Sequence, residues 1–226
     1  MTLRQGREFL SIPGPTNIPD EVLNAMHRPA IEIYSGDLLG VTERLLNDLR
    51  TVFRTTGRTY IYAANGHGAW EAAISNVLSK HDKVLVLESG RFAVGWGEMA
   101  GVQGCEFEIL KSTPRRAVDP AAVEARLRED IAGEIKAIMV VQIDTASGIV
   151  NDIPAIRNAI DAAGHPALFM VDGMASIGCM QFEMDAWGID VAIVGSQKGL
   201  MSPPGLGLVA AGPKAVEAHK TAGLRT

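Results

Sequence analysis

The sequence predicts an α/β fold: a three-layer sandwich on a mostly parallel seven-stranded sheet whose last strand is antiparallel. Three observations predict it. Apolar runs of strand length recur along the chain, separated by segments of helical length and periodicity. Runs such as Ala137-Ile138-Met139-Val140-Val141 are apolar at every position, which marks strands covered on both faces. The closing run, residues 206–210, follows its predecessor too closely for a crossover helix of about a dozen residues, so it returns antiparallel.

The elements follow in order. An N-terminal arm, residues 1–20, contains the rigid, extended Pro13-Gly14-Pro15-Thr16-Asn17-Ile18-Pro19. It leads into a short helix from Asp20 to about Met26. A longer amphipathic helix over 38–53 carries Leu39, Leu45, Leu46 and Leu49 on its apolar side. Strands are expected at 60–63, 84–87, 106–110, 137–143, 168–171, 191–194 and 206–210. Helices are expected at 68–79, 93–102, 120–130 and 154–163. In the last, Asp152 is the N-cap and Ile153, Ile156 and Ile160 mark one face. Strand–helix alternation makes the crossovers parallel. No repeat, low-complexity tract or internal boundary interrupts the pattern, so residues 21–226 read as one domain behind the arm.

At 226 residues, 47% hydrophobic and 21% charged, the chain is long enough to bury a substantial core. A net charge of −5 argues against nucleic acid as a partner. The one dense basic spot, Lys111 with Arg115-Arg116, reads as a solvated loop. Cys105 and Cys179 are far apart, which predicts reduced, buried thiols in a cytoplasmic setting. Residues 1–8 hold no apolar stretch of the secretory kind, and no apolar run nears the ~20 residues that span a bilayer. The expectation is a soluble, cytoplasmic chain without a membrane partner.

The chemistry concentrates after two strands. Asp172 closes the run Leu168-Phe169-Met170-Val171, and Lys198 follows Val191-Ala192-Ile193-Val194-Gly195. Pro203-Pro204-Gly205 locks the exit from the lysine turn. An aspartate and a lysine at neighbouring strand ends are what a pyridoxal phosphate site needs: the lysine forms the imine, and the carboxylate holds the pyridine nitrogen protonated. Ligands of open α/β folds collect at this carboxyl edge. Taken singly, Lys198 also reads as a solvated surface charge and Asp172 as a turn residue. Held in this context the lysine is partly desolvated, which favours its neutral amine.

Other candidates stay open at the level of residues. Asn65-Gly66-His67-Gly68-Ala69 opens a helix whose N-terminus offers N–H groups and a positive dipole end to a phosphate. It matches neither a Walker A loop nor GxGxxG, and a plain tight turn fits equally well. His67 alone reads more readily as a helix-start residue. Thr145 and Ser147 are either hydroxyl donors or turn caps, and Gln197 is either a phosphate donor or an exposed amide. Phe92 either stacks on a ring or packs in the core. Trp70 and Trp96 read as core or interface residues.

Together these segments resemble the class V, fold-type I pyridoxal phosphate aminotransferases, most closely the serine–glyoxylate and alanine–glyoxylate group. The resemblance is carried by Pro13-Gly14-Pro15-Thr16-Asn17, by Asn65-Gly66-His67-Gly68-Ala69-Trp70-Glu71 and by Asp144-Thr145-Ala146-Ser147-Gly148. Val171-Asp172-Gly173 with Ala175-Ser176, and Gly195-Ser196-Gln197-Lys198 with Pro203-Pro204-Gly205, complete it. It implies that Lys198 is the Schiff-base lysine and the base that moves the proton between the substrate α-carbon and the cofactor C4′. It implies that Asp172 pairs with the pyridine nitrogen and that Phe92 stacks on the ring. Asn65, Gly66, His67, Thr145, Met174 and Gln197 would complete the pyridoxal 5'-phosphate site. Pro15 and Asn17 would approach the substrate at the interface of a homodimer with shared active sites.

The implied reaction passes the amino group of a small amino acid (serine, alanine or aspartate) to a keto acid, with glyoxylate favoured. A lyase or cysteine desulfurase of the same fold is the rival. That branch places histidine before the lysine and a catalytic cysteine on a later loop, whereas here Gln197 precedes Lys198 and neither cysteine follows it. Family members also carry a C-terminal small domain, with an arginine that clamps the substrate carboxylate, beyond the length of this chain. A non-catalytic cofactor-binding fragment is therefore the third reading.

Overall fold

The computed structural model describes residues 9–112 and 115–225. Residues 1–8 of the expected arm, on which the absence of a secretory stretch was read, lie outside the described residues. Helices α1 (Asp20–Met26) and α2 (Asp37–Phe53) come first. Of the apolar side expected for α2, Leu49 is buried and Leu46 half-buried, while Leu39 and Leu45 remain exposed.

The body follows as β1 (Arg58–Ala63), α3 (Gly66–Val77), β2 (Lys83–Leu87), α4 (Arg91–Val102), β3 (Glu106–Leu110), α5 (Pro120–Glu129) and β4 (Ile135–Val141). A small hairpin of β5 (Ile143–Asp144) and β6 (Ile149–Val150) precedes α6 (Ile153–Ala162). Then come β7 (Leu168–Asp172), β8 (Val191–Gly195), β9 (Leu206–Ala211) and α7 (Pro213–His219). The large sheet has seven strands in the order β1-β9-β8-β7-β4-β2-β3. Strand β9 runs antiparallel to both its neighbours, and the pairs β8–β7, β7–β4, β4–β2 and β2–β3 are parallel. The mostly parallel sheet and its antiparallel last strand are as the sequence predicts.

Each face of the sheet is covered, because its strands are apolar on both sides. Along β4, Ile138 and Val140 pack with Leu127, Ile156, Ile160 and Phe53. Ala137, Met139 and Val141 point the other way, against Trp70, Ile74 and Trp96. These two apolar layers sandwich the sheet, and their burial is the main drive to fold. At the starts of α5 and α6, Asp119 and Asp152 accept the N–H groups of Ala121 and Ala155, so both helices begin where a cap and a following proline place them.

Four expectations are corrected. The apolar run 137–143 is not one strand, because the chain leaves the sheet at Gln142. Its N–H donates to the Asp172 carbonyl at 2.9 Å and its carbonyl accepts from Asn151 at 2.8 Å, which sends Ile143 into the hairpin. Helix α3 starts at Gly66 rather than residue 68, since the Asn65 side chain accepts from Gly68 N–H and caps it. Helix α7 was not anticipated; it is seven residues long and too short for periodicity to register. Cys105 is buried as expected but Cys179 is exposed, in a turn closed by its N–H donating to the Ser176 carbonyl. Lys111, Arg115 and Arg116 are exposed as a solvated loop should be. Among the described residues no helix is long and apolar enough to cross a membrane.

Candidate active site

Strands β1, β2, β4, β7 and β8 run in one direction, so the segments after their carboxyl ends converge. They enclose a cavity of about 270 Å³. Asn65, Gly66, His67 and Trp70 line it from α3; Asp172 and Met174 from the end of β7; Gln197 and Lys198 from the turn after β8. Phe92, Val141, Ile143 and Thr145 complete the wall. Nine of the predicted site residues thus meet at one cavity. Pro15 and Asn17 do not line it.

Asp172 is the most deeply held polar group, at 1% exposure. Its Oδ1 accepts the Met174 N–H at 2.6 Å and its Oδ2 accepts the indole N–H of Trp70 at 2.7 Å. Burial pushes its carboxyl up to about 6, opposed by those two donors and by the Lys198 charge, and assisted by the neighbouring Asp144. Among the described residues no salt bridge reaches Asp172. Those donors stabilise the carboxylate in part, and a cation arriving in the cavity would stabilise it further.

Lys198 is half-buried. Its turn is fixed by Ser196, whose hydroxyl donates to the Pro203 carbonyl at 2.6 Å and accepts from Leu206 N–H at 3.3 Å. From above, the arm crosses the lysine. Thr16 N–H donates to the Gln197 carbonyl at 3.1 Å, and Lys198 Nζ donates to the Pro13 carbonyl at 3.5 Å. Gly14 sits at φ +143°, and a Cβ there would lie 2.7 Å from Lys198 Nζ. Asn17 turns back on the arm, where its Oδ1 accepts from Leu10 N–H at 2.8 Å.

On the opposite wall, Asn65 spends its side chain on Gly68, so the N–H groups of Gly66 and His67 are those the helix does not satisfy internally. The Gln197 Oε1 is buried and has no hydrogen-bond partner among the described residues. Ser147 serves the turn, donating to the Ser89 carbonyl at 2.7 Å. Thr145 stands exposed at the rim. Phe92 is half-buried beside Trp70, with ring centroids 6.3 Å apart.

Two residues matter more than the sequence reading allowed. Trp70 reads in the sequence as a core or interface residue, yet its indole N–H donates to Asp172 while the ring lies stacked on Trp96 at 6.0 Å. Asp144 carries no role of its own in the sequence pattern, yet it is fully buried and accepts the backbone N–H groups of Phe92 and Ala93. The signal for both was their place inside motifs already marked: Trp70 four residues after Gly66, and Asp144 just before Thr145.

An open α/β sheet with one buried aspartate and one lysine meeting at its carboxyl edge is the large-domain architecture of the fold-type I aminotransferases. The chain belongs to the class-V aminotransferase family, whose sequence model matches residues 9–223. It is similar to the serine–glyoxylate aminotransferase of Methylorubrum extorquens, with 45% identity over 218 residues, which cover 96% of this chain and 54% of that protein. The L-aspartate–glyoxylate aminotransferase of Paracoccus denitrificans is 42% identical over 94% of this chain and 54% of its own length. In structure, the ureidoglycine–glyoxylate aminotransferase of Bacillus subtilis superposes with a TM-score of 0.87 at 27% identity, over 98% of this chain and 56% of that one. The chain spans about half the length of the curated relatives it matches.

Proposed function

We propose that the protein binds pyridoxal 5'-phosphate at the Asp172–Lys198 cavity and takes part in transamination between a small amino acid and glyoxylate. The observation that carries the reading is Asp172: a buried carboxylate without a cationic partner among the described residues, lining the same cavity as a half-buried lysine. A protonated pyridine nitrogen is the cation such a site lacks. The unpartnered Gln197 Oε1 and the free N–H groups of Gly66 and His67 supply further polar contacts for the ring substituents and the phosphate.

When bound, the cofactor supplies an electron sink for the charge left on a substrate α-carbon. The chain's own residues do the rest. Lys198 would hold the cofactor covalently through Nζ and, once the incoming amine displaces that nitrogen, would take up and return the proton of the substrate α-carbon. Asp172 would hold the ring nitrogen in its charged form, and Phe92 would cover the ring. Thr145, at the rim, is placed to donate its hydroxyl, and Met174 fills the floor through its contact with Gly66.

The relatives named above differ in amino donor and share glyoxylate, which makes glyoxylate the acceptor of choice; serine, alanine and aspartate are the donors to compare. A homodimer belongs to this reading, supported by the uncovered apolar side chains of Ile33, Tyr34 and Leu39 near the arm. Desulfuration is disfavoured by the thiols: burial pushes Cys105 up to about 11, and Cys179 precedes the lysine.

Borohydride reduction of the protein with pyridoxal phosphate, followed by peptide mapping, tests the site. Label confined to Lys198 is the expected result. No label, or label scattered over surface lysines, overturns the reading. Glycine formation from glyoxylate with each amino donor in turn then tests the reaction.

A further inference from the structure

Two indole rings lie stacked beneath the cavity, and they differ in one respect. Trp96 is fully buried and its Nε1 has no partner among the described residues, whereas Trp70 donates its Nε1 proton to Asp172 Oδ2 at 2.7 Å. Trp70 cannot easily turn away from that bond. Trp96 stacks on one face at an interplanar angle of 17°, and His67 and Phe92 meet its ring edge-on at 4.8 and 6.3 Å. The Met174 N–H occupies the other carboxylate oxygen, so Asp172 receives one donor on each oxygen and its plane is fixed.

An indole N–H is a donor only. It therefore bonds well to a carboxylate and loses half its acceptor's choice when the carboxyl is protonated. We propose that Trp70 is a positioning residue that keeps Asp172 ionised and oriented, so that the cavity selects an aromatic heterocycle protonated on its ring nitrogen. The identity of that heterocycle rests on the pyridoxal phosphate reading above. The other charged or titratable groups facing this pair are Lys198 from the turn after β8, Asp144 from β5, and His67 at the edge of the Trp70 ring. Neither Lys198 nor Asp144 is hydrogen-bonded to the Asp172 carboxylate, which leaves Trp70 as its one side-chain donor among the described residues.

The test begins without cofactor. Infrared difference spectra across pH follow the protonated Asp172 carbonyl band, assigned by its loss in Asp172→Asn. Trp70→Phe is expected to raise the Asp172 midpoint by about one pH unit, roughly tenfold in proton affinity, because a donor to a charged acceptor is removed. Trp96→Phe takes an indole from the same stack and is expected to leave that midpoint in place. With pyridoxal phosphate, Trp70→Phe weakens binding about fivefold near pH 6 and about tenfold below pH 5, and the gap closes towards pH 8.5 as the carboxyl ionises in both proteins. The 1-deaza analogue has no ring nitrogen to protonate and is expected to lose nothing.

An unchanged Asp172 midpoint in folded Trp70→Phe overturns the inference, as does an equal shift in Trp96→Phe. Should Trp70→Phe fail to fold, benzothienylalanine at position 70 keeps the bicyclic shape without the N–H and carries the same readouts. Failure of the unmutated protein to bind pyridoxal phosphate sinks the functional reading instead, and the cofactor-free midpoint still decides whether Trp70 governs Asp172.

Discussion

The Asp144 carboxylate accepts the backbone N–H of Phe92 at 2.9 Å and that of Ala93 at 3.0 Å, and so caps a helix that begins some fifty residues before it. Helix α4 has glycine at its own N-cap position, with no side chain to offer. A Cβ on Gly90 would lie 2.5 Å from the Asp144 carboxyl carbon. The missing side chain thus makes room for a cap delivered by the β5–β6 hairpin. The bond ties the Phe92 wall of the cavity to the Thr145 rim, and it adds a negative charge near Asp172.

Replacing Asp144 with Asn keeps the shape but turns one acceptor into a donor facing backbone N–H groups. Loss of such a cap costs about 1–2 kcal/mol, read as a lower denaturant midpoint. Removing the charge also acts on Asp172, whose carboxyl Asp144 helps to push up. Asp144→Asn is therefore expected to lower the Asp172 midpoint in the infrared titration, opposite in direction to Trp70→Phe.

The arm makes a second prediction. A Cβ at Gly14 would sit 2.6 Å from Lys198 Cδ, at a backbone φ of +143° that side chains rarely adopt. Gly14→Ala is expected to cost about 1–3 kcal/mol through that strain. The lysine tail yields more readily than backbone, so Lys198 shifts, and borohydride trapping of pyridoxal phosphate at Lys198 slows. Trapping at the unmutated rate would show that the arm does not position the lysine.

A control lies at the other end of the sheet. Before β7, His165 Nε2 meets Asp130 Oδ2 at 3.0 Å, while Ala167 N–H donates to its Nδ1 at 3.2 Å, which leaves Nε2 carrying the proton. Both side chains are buried. His165→Ala is expected to destabilise the protein by about 1–3 kcal/mol, since the buried Ala167 N–H loses its acceptor, while Asp130 Oδ2 keeps the Ile135 N–H. Pyridoxal phosphate affinity, measured on the folded variant, is expected not to change.

What the sequence made legible follows its periodicities. The fully apolar strands announced a sheet covered on both faces, and the short spacing after Lys198 announced the antiparallel β9. Where hydrogen bonds rather than hydrophobicity decide, the pattern fails. Ile143 is as apolar as Val141, yet the bonds of Gln142 to Asp172 and Asn151 take it out of the sheet. Of the site, the strand-end residues Asp172 and Lys198 and the turn at Gly66 were readable, because their positions follow from the elements around them. Trp70 was not. Nothing in one sequence says that an indole in an apolar helix aims its N–H at a carboxylate over a hundred residues away. Pro15 and Asn17 are placed at the substrate by resemblance alone, through a dimer interface that the fold of one chain does not reveal; within the chain, Asn17 Oδ1 accepts from Leu10 N–H.

Asp172 also makes stability depend on pH in an unusual direction. Its carboxyl is pushed up to about 6 in the folded chain, while an unfolded aspartate titrates near ~3.9. The folded protein without cofactor then binds this proton more tightly than the unfolded chain does. The stability it contributes is fully present below about pH 4 and is lost as pH rises through about 6, some 3 kcal/mol at most for a shift of about two units. Asp172→Asn cannot titrate there, and contributions from every other group cancel in the comparison. The variant is therefore expected to gain on the unmutated protein between about pH 4 and 6 and to hold that gain above. Pyridoxal phosphate reverses the slope, because a ring cation needs the ionised carboxylate: the thermal shift it produces in the unmutated protein should grow as pH rises through 6. A mutant-minus-parent difference that stays flat across this window would mean that Asp172 is already ionised against a cation, and the site would have no need of a charged ring to complete it.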